Sequence, residues 1–207
     1  HIKMEGVEAI NDGASLRNHN EKLSILQFND IISPTIVSSS TEMLKNFIGE
    51  HKKVILKPID GMAGNGIFMV TSSDQNMNVI LETMISDTNQ LVMAQKFIPE
   101  VKYGDKRIIL IDGEPLPYAL ARIPQNNEIR ANLAKGGKGI IKKLSENDMV
   151  IVAAIKPYLR KNNFRFVGID VIGNYLTEIN VTSPTGLVEI QNQAEVNFSK
   201  SIVDALS

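Results

Sequence analysis

The chain alternates between two spacings of apolar residues, and the alternation itself predicts the class of fold. Residues 15–28 (SLRNHNEKLSILQF) set Leu16, Leu23 and Leu26 on one helical stripe behind Ser15 in an N-cap position. A short strand, TIV at 35–37, follows Pro34, and a second helix is predicted at about 40–49. KVILK (53–57) reads as a strand, DGMAGNG (60–66) as a glycine-rich loop, IFMV (67–70) as the returning strand and 77–86 as a helix. LVMAQKFI (91–98) is a strand stopped by Pro99, and strands at 106–112 and 115–122 are joined by Asp-Gly-Glu, a hairpin signal. A polar, glycine-rich segment (123–143) then precedes a helix over 146–161, a hairpin of strands at 165–172 and 175–181, and a terminal helical region. Strands interleaved with helices in this way predict an α/β fold.

Composition narrows the picture. With 207 residues, 43% hydrophobic and 22% charged, the chain can bury one sizeable core or two small lobes and is too apolar to be disordered. A formal net charge of −1 offers no field for a polyanion, which disfavours nucleic acid as a partner. Cysteine is absent, so neither disulfides nor a thiolate metal site hold the fold, in keeping with a reducing compartment. No apolar run approaches the ~18 residues of a membrane span and nothing resembles a signal peptide, so no membrane partner is expected and the expected location is the cytoplasm. Residues 123–139, with Gly136, Gly137 and Gly139 and no apolar face, are expected to form a mobile lid.

Polar residues in strand-like surroundings mark the candidate chemistry. The turn GMAGNG lacks the ending of a P-loop and the order of a dinucleotide fingerprint, but a glycine-rich turn between antiparallel strands can offer backbone N–H groups to phosphates. A plain hairpin turn is the alternative. Lys57 ends an apolar strand just before that turn, where an ammonium group is costly unless an anion meets it. Arg107 and Arg122 fall on paired strands, where guanidinium groups can clamp a carboxylate or a phosphoryl group, or be surface charge. Strand alternation puts Glu178 and Asn180 on one face, and with Asp170 on the preceding strand they offer oxygen ligands for magnesium in phosphoryl transfer; a solvated sheet face is the alternative. A regular two-residue turn at Gly173-Asn174 would put Asp170 and Glu178 on opposite faces. A three-residue turn or a one-residue bulge would instead pair Asp170 with Glu178 and Gly168 with Asn180, and that register is the one expected.

The blocks NEKL, ILKPIDGMAG, MAQKFIPEVKYGDKR, ALARIPQ, NLAKGGKG, FVGIDVIG and LTEINVTSPTG, in that order over nearly all of residues 6–207, resemble bacterial glutathione synthetase, an ATP-grasp ligase. The resemblance implies an ATP-grasp fold of two α/β subdomains, 6–95 (partial) and 96–207, whose antiparallel sheets clamp ATP. It implies that ATP phosphorylates the carboxylate of γ-glutamylcysteine to an acyl phosphate, which the amine of glycine attacks to give glutathione, with two magnesium ions (manganese as an alternative) and a homo-oligomeric full-length enzyme. Carried over position by position, Lys22 and Lys57 meet the ATP phosphates under a flap containing Gly61, Gly64 and Gly66. Gln95, Lys96, Phe97 and Ile98 bind the nucleotide, the main chain from Lys96 to Ile98 meeting the adenine edge, and Asp105 takes the ribose. Asp170, Glu178 and Asn180 hold the metal; Arg107, Arg122 and Arg130 stabilise the transferring phosphoryl group and the substrate carboxylates; Asn132, Ser183, Pro184 and Thr185 line the acceptor pocket. Ala63 and Gly186 depart from the family pattern, and residues 1–5 read as a cloning remnant or a new start, with the family's N-terminal domain expected to be missing. A nucleotide-binding module without ligase activity, comparable to synapsin, and another ATP-grasp peptide ligase remain open beside this reading.

Overall fold

The computed structural model describes residues 5–7, 9–61, 64–86, 88–124 and 138–206. Arg130, Asn132 and most of the expected lid at 123–139 lie outside them. In chain order the elements are α1 (Gly13–Asn18), β1 (Thr35–Ser38), α2 (Thr41–His51), β2 (Lys53–Pro58), β3 (Phe68–Thr71), α3 (Met77–Ile85), β4 (Val92–Lys96), β5 (Asp105–Ile111), β6 (Glu114–Ile123), β7 (Lys138–Lys143), α4 (Glu146–Lys161), β8 (Phe166–Ile172), β9 (Tyr175–Asn180), α5 (Leu187–Ala194) and α6 (Ser199–Leu206). The strands form two antiparallel sheets, ordered β1-β4-β2-β3 and β7-β6-β5-β8-β9. No helix among the described residues is long and apolar enough to cross a membrane.

Each sheet buries one face by period-two alternation. In the first, Val54 and Leu56 of β2 and Ala94 of β4 meet Leu44, Phe47 and Ile48 of α2 and Leu81 of α3. Ser40 caps α2, its hydroxyl accepting from the N–H of Met43. In the second, Ile108 and Leu110 of β5 and Val167, Ile169 and Val171 of β8 pack against Ile151, Ile155 and Leu159 of α4. A reciprocal capping box between Ser145 and Asp148 starts α4, and buried Asp148 also pairs with Lys106 of β5, tying the helix to the sheet. The far end of the opposite face is covered by Ile190 of α5 and by Phe198.

Two segments depart from the sequence pattern. The single helix expected over 15–28 is α1 followed by a 3-10 helix over Leu23–Gln27. Asp12, not Ser15, caps α1, and the side chain of Asn20 accepts from the N–H groups of Lys22 and Leu23, replacing the helical bonds that would join the two pieces. Ile25 and Ile32 of this region are buried in the core of the second sheet, so the stretch expected to open the first subdomain packs on the other one. The segment 123–143, expected to lack regular structure, supplies the end of β6 and all of β7, an edge strand paired from Tyr118↔Lys143 to Ile123↔Lys138.

The hairpin of β8 and β9 combines a tight turn with a bulge. Ile172 pairs with Tyr175 and Val171 with Leu176 around Gly173-Asn174; the register then shifts, and Asp170 pairs with Glu178, Ile169 with Ile179 and Gly168 with Asn180. Thr177 is the extra residue.

Candidate active site

A cleft of about 560 Å³ lies between the two sheets. Alternation in β2 sends Val54 and Leu56 to the core and Ile55 and Lys57 to the cleft, where Gln95, opposite Ile55, joins them. The facing wall carries Asp105 and Arg107 of β5, Arg122 of β6 and Asp170 of β8. Register explains the convergence, since Asp105 opposes Arg122 and Arg107 opposes Asp170, and opposed residues share a face.

These four charges form one buried network. Arg107 Nε and Nη2 donate to Asp170 Oδ1 and Oδ2 at 2.5 and 3.0 Å, a bidentate pair. Arg122 Nη2 donates to Asp105 Oδ2 at 2.6 Å and lies 3.0 Å from Asp170 Oδ1. Burial alone would raise the Asp170 carboxyl, but Arg107 and Arg122 outweigh it and hold the group well below the usual carboxylate range. Burial also opposes the charge of Arg122, but Asp105 and Asp170 outweigh it and push the guanidinium above its ordinary value. Asp105 behaves differently: burial pushes its carboxyl up to about 6 against the pull of Arg122. Its Oδ1 is shielded from solvent and accepts no hydrogen bond among the described residues. A shielded, unpaired carboxylate oxygen at a cleft wall is a place for a donor from a ligand.

Two lysines face that wall. Lys22 Nζ donates to the carbonyl of Gly61 at 2.7 Å and lies 3.2 Å from Glu178 Oε1. Lys57 Nζ donates to the carbonyl of Thr177 at 3.5 Å, and burial, reinforced by Lys22, lowers its pKa against the opposing pull of Glu178. A buried ammonium whose hydrogen bond among the described residues is one long contact to a neutral carbonyl is suited to an incoming anion. Gly61 and Gly64 line the cleft beside the lysines. Gly64 and Gly66 adopt positive φ (+73° and +69°), a region open to glycine, and a Cβ at Gly66 would stand 3.3 Å from Pro58 Cγ; Gly66 itself is not part of the lining.

At the strand end, Lys96, Phe97 and Ile98 line the cleft. The N–H of Lys96 donates to the carbonyl of Pro34 and that of Phe97 to the carbonyl of Lys53, while the Lys96 carbonyl accepts from the Ser33 hydroxyl and keeps a second lone pair. Glu178 and Asn180 line the cleft next to Asp170, and Asn180 Nδ2 approaches Asp170 Oδ2 at 3.4 Å. Among the described residues no group of three His, Cys, Asp or Glu is placed to hold a metal, so a cation here would draw on two carboxylates, the amide oxygen of Asn180 and oxygens of the ligand itself.

Ser183 and Thr185 line the far end, and Arg107 Nη1 donates to the carbonyl of Thr185 at 3.2 Å. Pro184 does not line the cleft; it packs behind it over Gly168, where a Cβ would stand 2.7 Å from Pro184 Cβ. Gly186 takes φ +106°, and a Cβ there would meet Arg107 Cγ and Leu120 Cδ2 at 3.3 Å, which accounts for glycine at a position where a larger residue was expected. Thr177 and Glu21 were missed as cleft residues. The signal for Glu21 was its place beside Lys22 in NEKL.

Residues 21–195 match the family model of the prokaryotic glutathione synthetase ATP-grasp domain. The chain belongs to this family. Over 202 residues, 98% of the chain, it is 48% identical to the glutathione synthetase of Pseudomonas aeruginosa, and over 199 residues, 96% of the chain, 51% identical to that of Coxiella burnetii. It spans 64% and 62% of the length of these relatives. In fold it is similar to a RiPP-associated ATP-grasp ligase of Chryseobacterium gregarium, solved with ADP and a leader and core peptide (TM-score 0.72, 22% identity, 99% of this chain and 66% of that one). It is also similar to the D-alanine–D-alanine ligase of Bacillus anthracis (TM-score 0.66, 16% identity, 99% and 72%). The two sheets and the cleft between them are therefore an ATP-grasp fold.

Proposed function

We propose that the chain is the ATP-binding portion of a ligase that joins γ-glutamylcysteine to glycine. The observation that carries this reading is the family match, which runs from Glu21 to Glu195 and so includes every described cleft residue named above. In this reading the γ-phosphoryl group of ATP passes to the carboxylate of γ-glutamylcysteine, ADP leaves, and the amine of glycine attacks the acyl phosphate carbon, releasing phosphate and forming the amide of glutathione.

The geometry supports roles for particular groups. Lys22 and Lys57 neutralise the phosphates, and the glycine-rich turn can approach them closely because Gly64 and Gly66 hold conformations that L side chains resist. The adenine edge meets the main chain from Lys96 to Ile98, at the strand end that lines the cleft. The unpaired Oδ1 of Asp105 accepts a hydroxyl of the ribose. Magnesium, when bound, offsets the phosphate charge and orients the reacting oxygens; Glu178, Asn180 and Asp170, gathered on one face by the bulge, would hold it. Arg107, fixed by Asp170 and by Thr185, and Arg122, fixed by Asp105, stand as preorganised cations where negative charge develops. Ser183 and Thr185 frame the acceptor end, and Arg130 and Asn132 remain assigned to the phosphoryl group and the acceptor by family resemblance.

Mass spectrometry of the products from ATP, γ-glutamylcysteine and glycine, with calorimetry of magnesium-ATP binding, tests the proposal. Saturable nucleotide binding and, in the enzyme of full family length, a glutathione mass are expected. Absence of nucleotide binding would overturn the reading. Nucleotide binding with a different amide product would keep the ATP-grasp assignment and remove the substrate pair.

A further inference from the structure

Glu21 has no part in the roles above, yet it holds the backbone on both sides of Asn180. β9 is the outer strand of its sheet, and on its open edge Ile179 N–H donates to the carbonyl of Glu21 at 3.1 Å. Just past Asn180, the N–H groups of Val181 and Thr182 both donate to Glu21 Oε1, at 2.8 and 2.9 Å. One carboxylate oxygen receiving two successive N–H groups makes a charge-assisted fork, stronger than the same bonds to a neutral acceptor. The carbonyl of Val181 in turn accepts from Asn11 Nδ2 at 2.7 Å, so both backbone groups of the first residue beyond the strand are held by side chains from the N-terminal segment.

The neighbours of Glu21 reach the opposite side of the cleft. Asn20 Nδ2 donates to the carbonyl of Ile59 at 3.2 Å and to Asp60 Oδ1 at 3.3 Å, and Lys22 Nζ donates to the carbonyl of Gly61 at 2.7 Å. Three consecutive residues thus join the base of the glycine-rich turn to the exit of β9. We propose that Glu21 is a positioning residue: it fixes Asn180 and the start of the 181–185 loop relative to the glycine-rich turn, and so sets the geometry of the cation-binding face. The inference rests on the functional reading above for what Asn180 does, and on the contacts alone for what Glu21 does.

The test compares the 207-residue chain with Glu21→Ala and Glu21→Gln by amide hydrogen exchange and by magnesium titration of ADP binding. Glu21→Ala should speed exchange at Val181 and Thr182 by ~tenfold or more while β5 and β8 keep their protection. It should raise the magnesium concentration for half-maximal ADP binding by ~tenfold, as loss of a supporting contact to a metal ligand does, with metal-free ADP affinity within about twofold. Glu21→Gln, which keeps an acceptor oxygen at the same reach, should recover most of both effects. Unchanged exchange, or an unchanged magnesium requirement, in Glu21→Ala would overturn the proposal. Should that variant loosen the whole sheet, Glu21→Asp, which keeps the charge but withdraws the oxygen by about one bond length, is judged by the same two criteria. A wild-type chain that binds no ADP would defeat the functional reading, and the exchange result would then decide the role of Glu21 by itself.

Discussion

Asp170 and Glu178 stand directly opposite one another on β8 and β9 because Thr177 is an extra residue in the ladder between them. The bulge shifts the alternation of β9 by one position. Leu176 and Ile179 therefore both reach the core of the second sheet, although their odd separation in a regular strand would put them on opposite faces. Glu178 and Asn180 turn to the cleft instead. The Thr177 hydroxyl donates to the carbonyl of Asp170 at 3.1 Å, and the Thr177 carbonyl meets Lys57, so the bulged residue serves both its own hairpin and the facing sheet.

Thr177→Val keeps the shape of the side chain and removes the hydroxyl. The buried Asp170 carbonyl then lacks that donor, and unfolding free energy should fall by about 1 kcal/mol, or roughly 2–4 °C in melting temperature for a chain of this size. Urea and thermal denaturation would measure it. A wild-type midpoint would show that the hydroxyl does not stabilise the bulge, and a loss beyond about 3 kcal/mol would mean that the register itself depends on it.

Gly168→Ala should disturb the site without removing a polar group. Its Cβ would stand 2.7 Å from Pro184 Cβ and 2.9 Å from Arg107 Cδ, between the loop that frames the acceptor end and the arginine that grips Asp170. Overpacking of this kind costs about 1–3 kcal/mol. Equilibrium denaturation should show that loss, and a crystal structure of the variant should show Arg107 displaced from its bidentate pairing. Wild-type stability with Arg107 in place would contradict the steric account.

Much of this fold follows from local pattern. The helix at 146–161 is legible because Ser145 and Asp148 cap a long apolar stripe, and the bulge is legible because Asp170, Glu178 and Asn180 make chemical sense only on one face. β7 was missed because KGIIKK has two apolar residues among lysines and glycine, the composition of an exposed edge strand, which period alone does not separate from a loop. The break after α1 was missed because Asn20 interrupts the helix with side-chain bonds to Lys22 and Leu23, while the leucine spacing continues across it. Pairing across long sequence distances was not legible at all. Arg107 and Asp170 are 63 positions apart, and which carboxylate each arginine grips depends on the strand order β6-β5-β8.

Lys57→Met should separate binding from folding. The methionine keeps the aliphatic stem and removes an ammonium that burial disfavours, so the variant should be at least as stable as the wild type while losing about tenfold to a hundredfold in ATP affinity. Because the folded-state pKa of Lys57 lies below 10.5, the unfolded chain binds more protons between that lowered value and 10.5, and wild-type stability gains with pH across the window. The advantage of the variant should therefore shrink as pH rises toward 10.5 in chemical denaturation. A variant clearly less stable than the wild type with unchanged ATP affinity would make Lys57 a structural residue, and an advantage that stays constant or widens with pH would contradict the lowered pKa.

Asp105 supplies a proton-linked signature for the nucleotide. Burial holds its carboxyl at about 6 in the chain alone, against the pull of Arg122, and its shielded Oδ1 lacks a donor. A hydroxyl donating to that oxygen favours the ionised form, so binding lowers the pKa and expels the proton from the fraction of molecules that carry it. Adenosine is the probe of choice, because a phosphate group titrates near 6 and would mask the effect. Calorimetry at about pH 6 in two buffers of different ionisation enthalpy should show release of a fraction of a proton per adenosine bound, fading by about pH 7.5, where Asp105 is already ionised. Asp105→Asn should abolish the release and weaken adenosine binding by about tenfold. Proton uptake on binding, or release that persists in Asp105→Asn, would take Asp105 out of contact with the ligand and leave its unpaired oxygen without a partner.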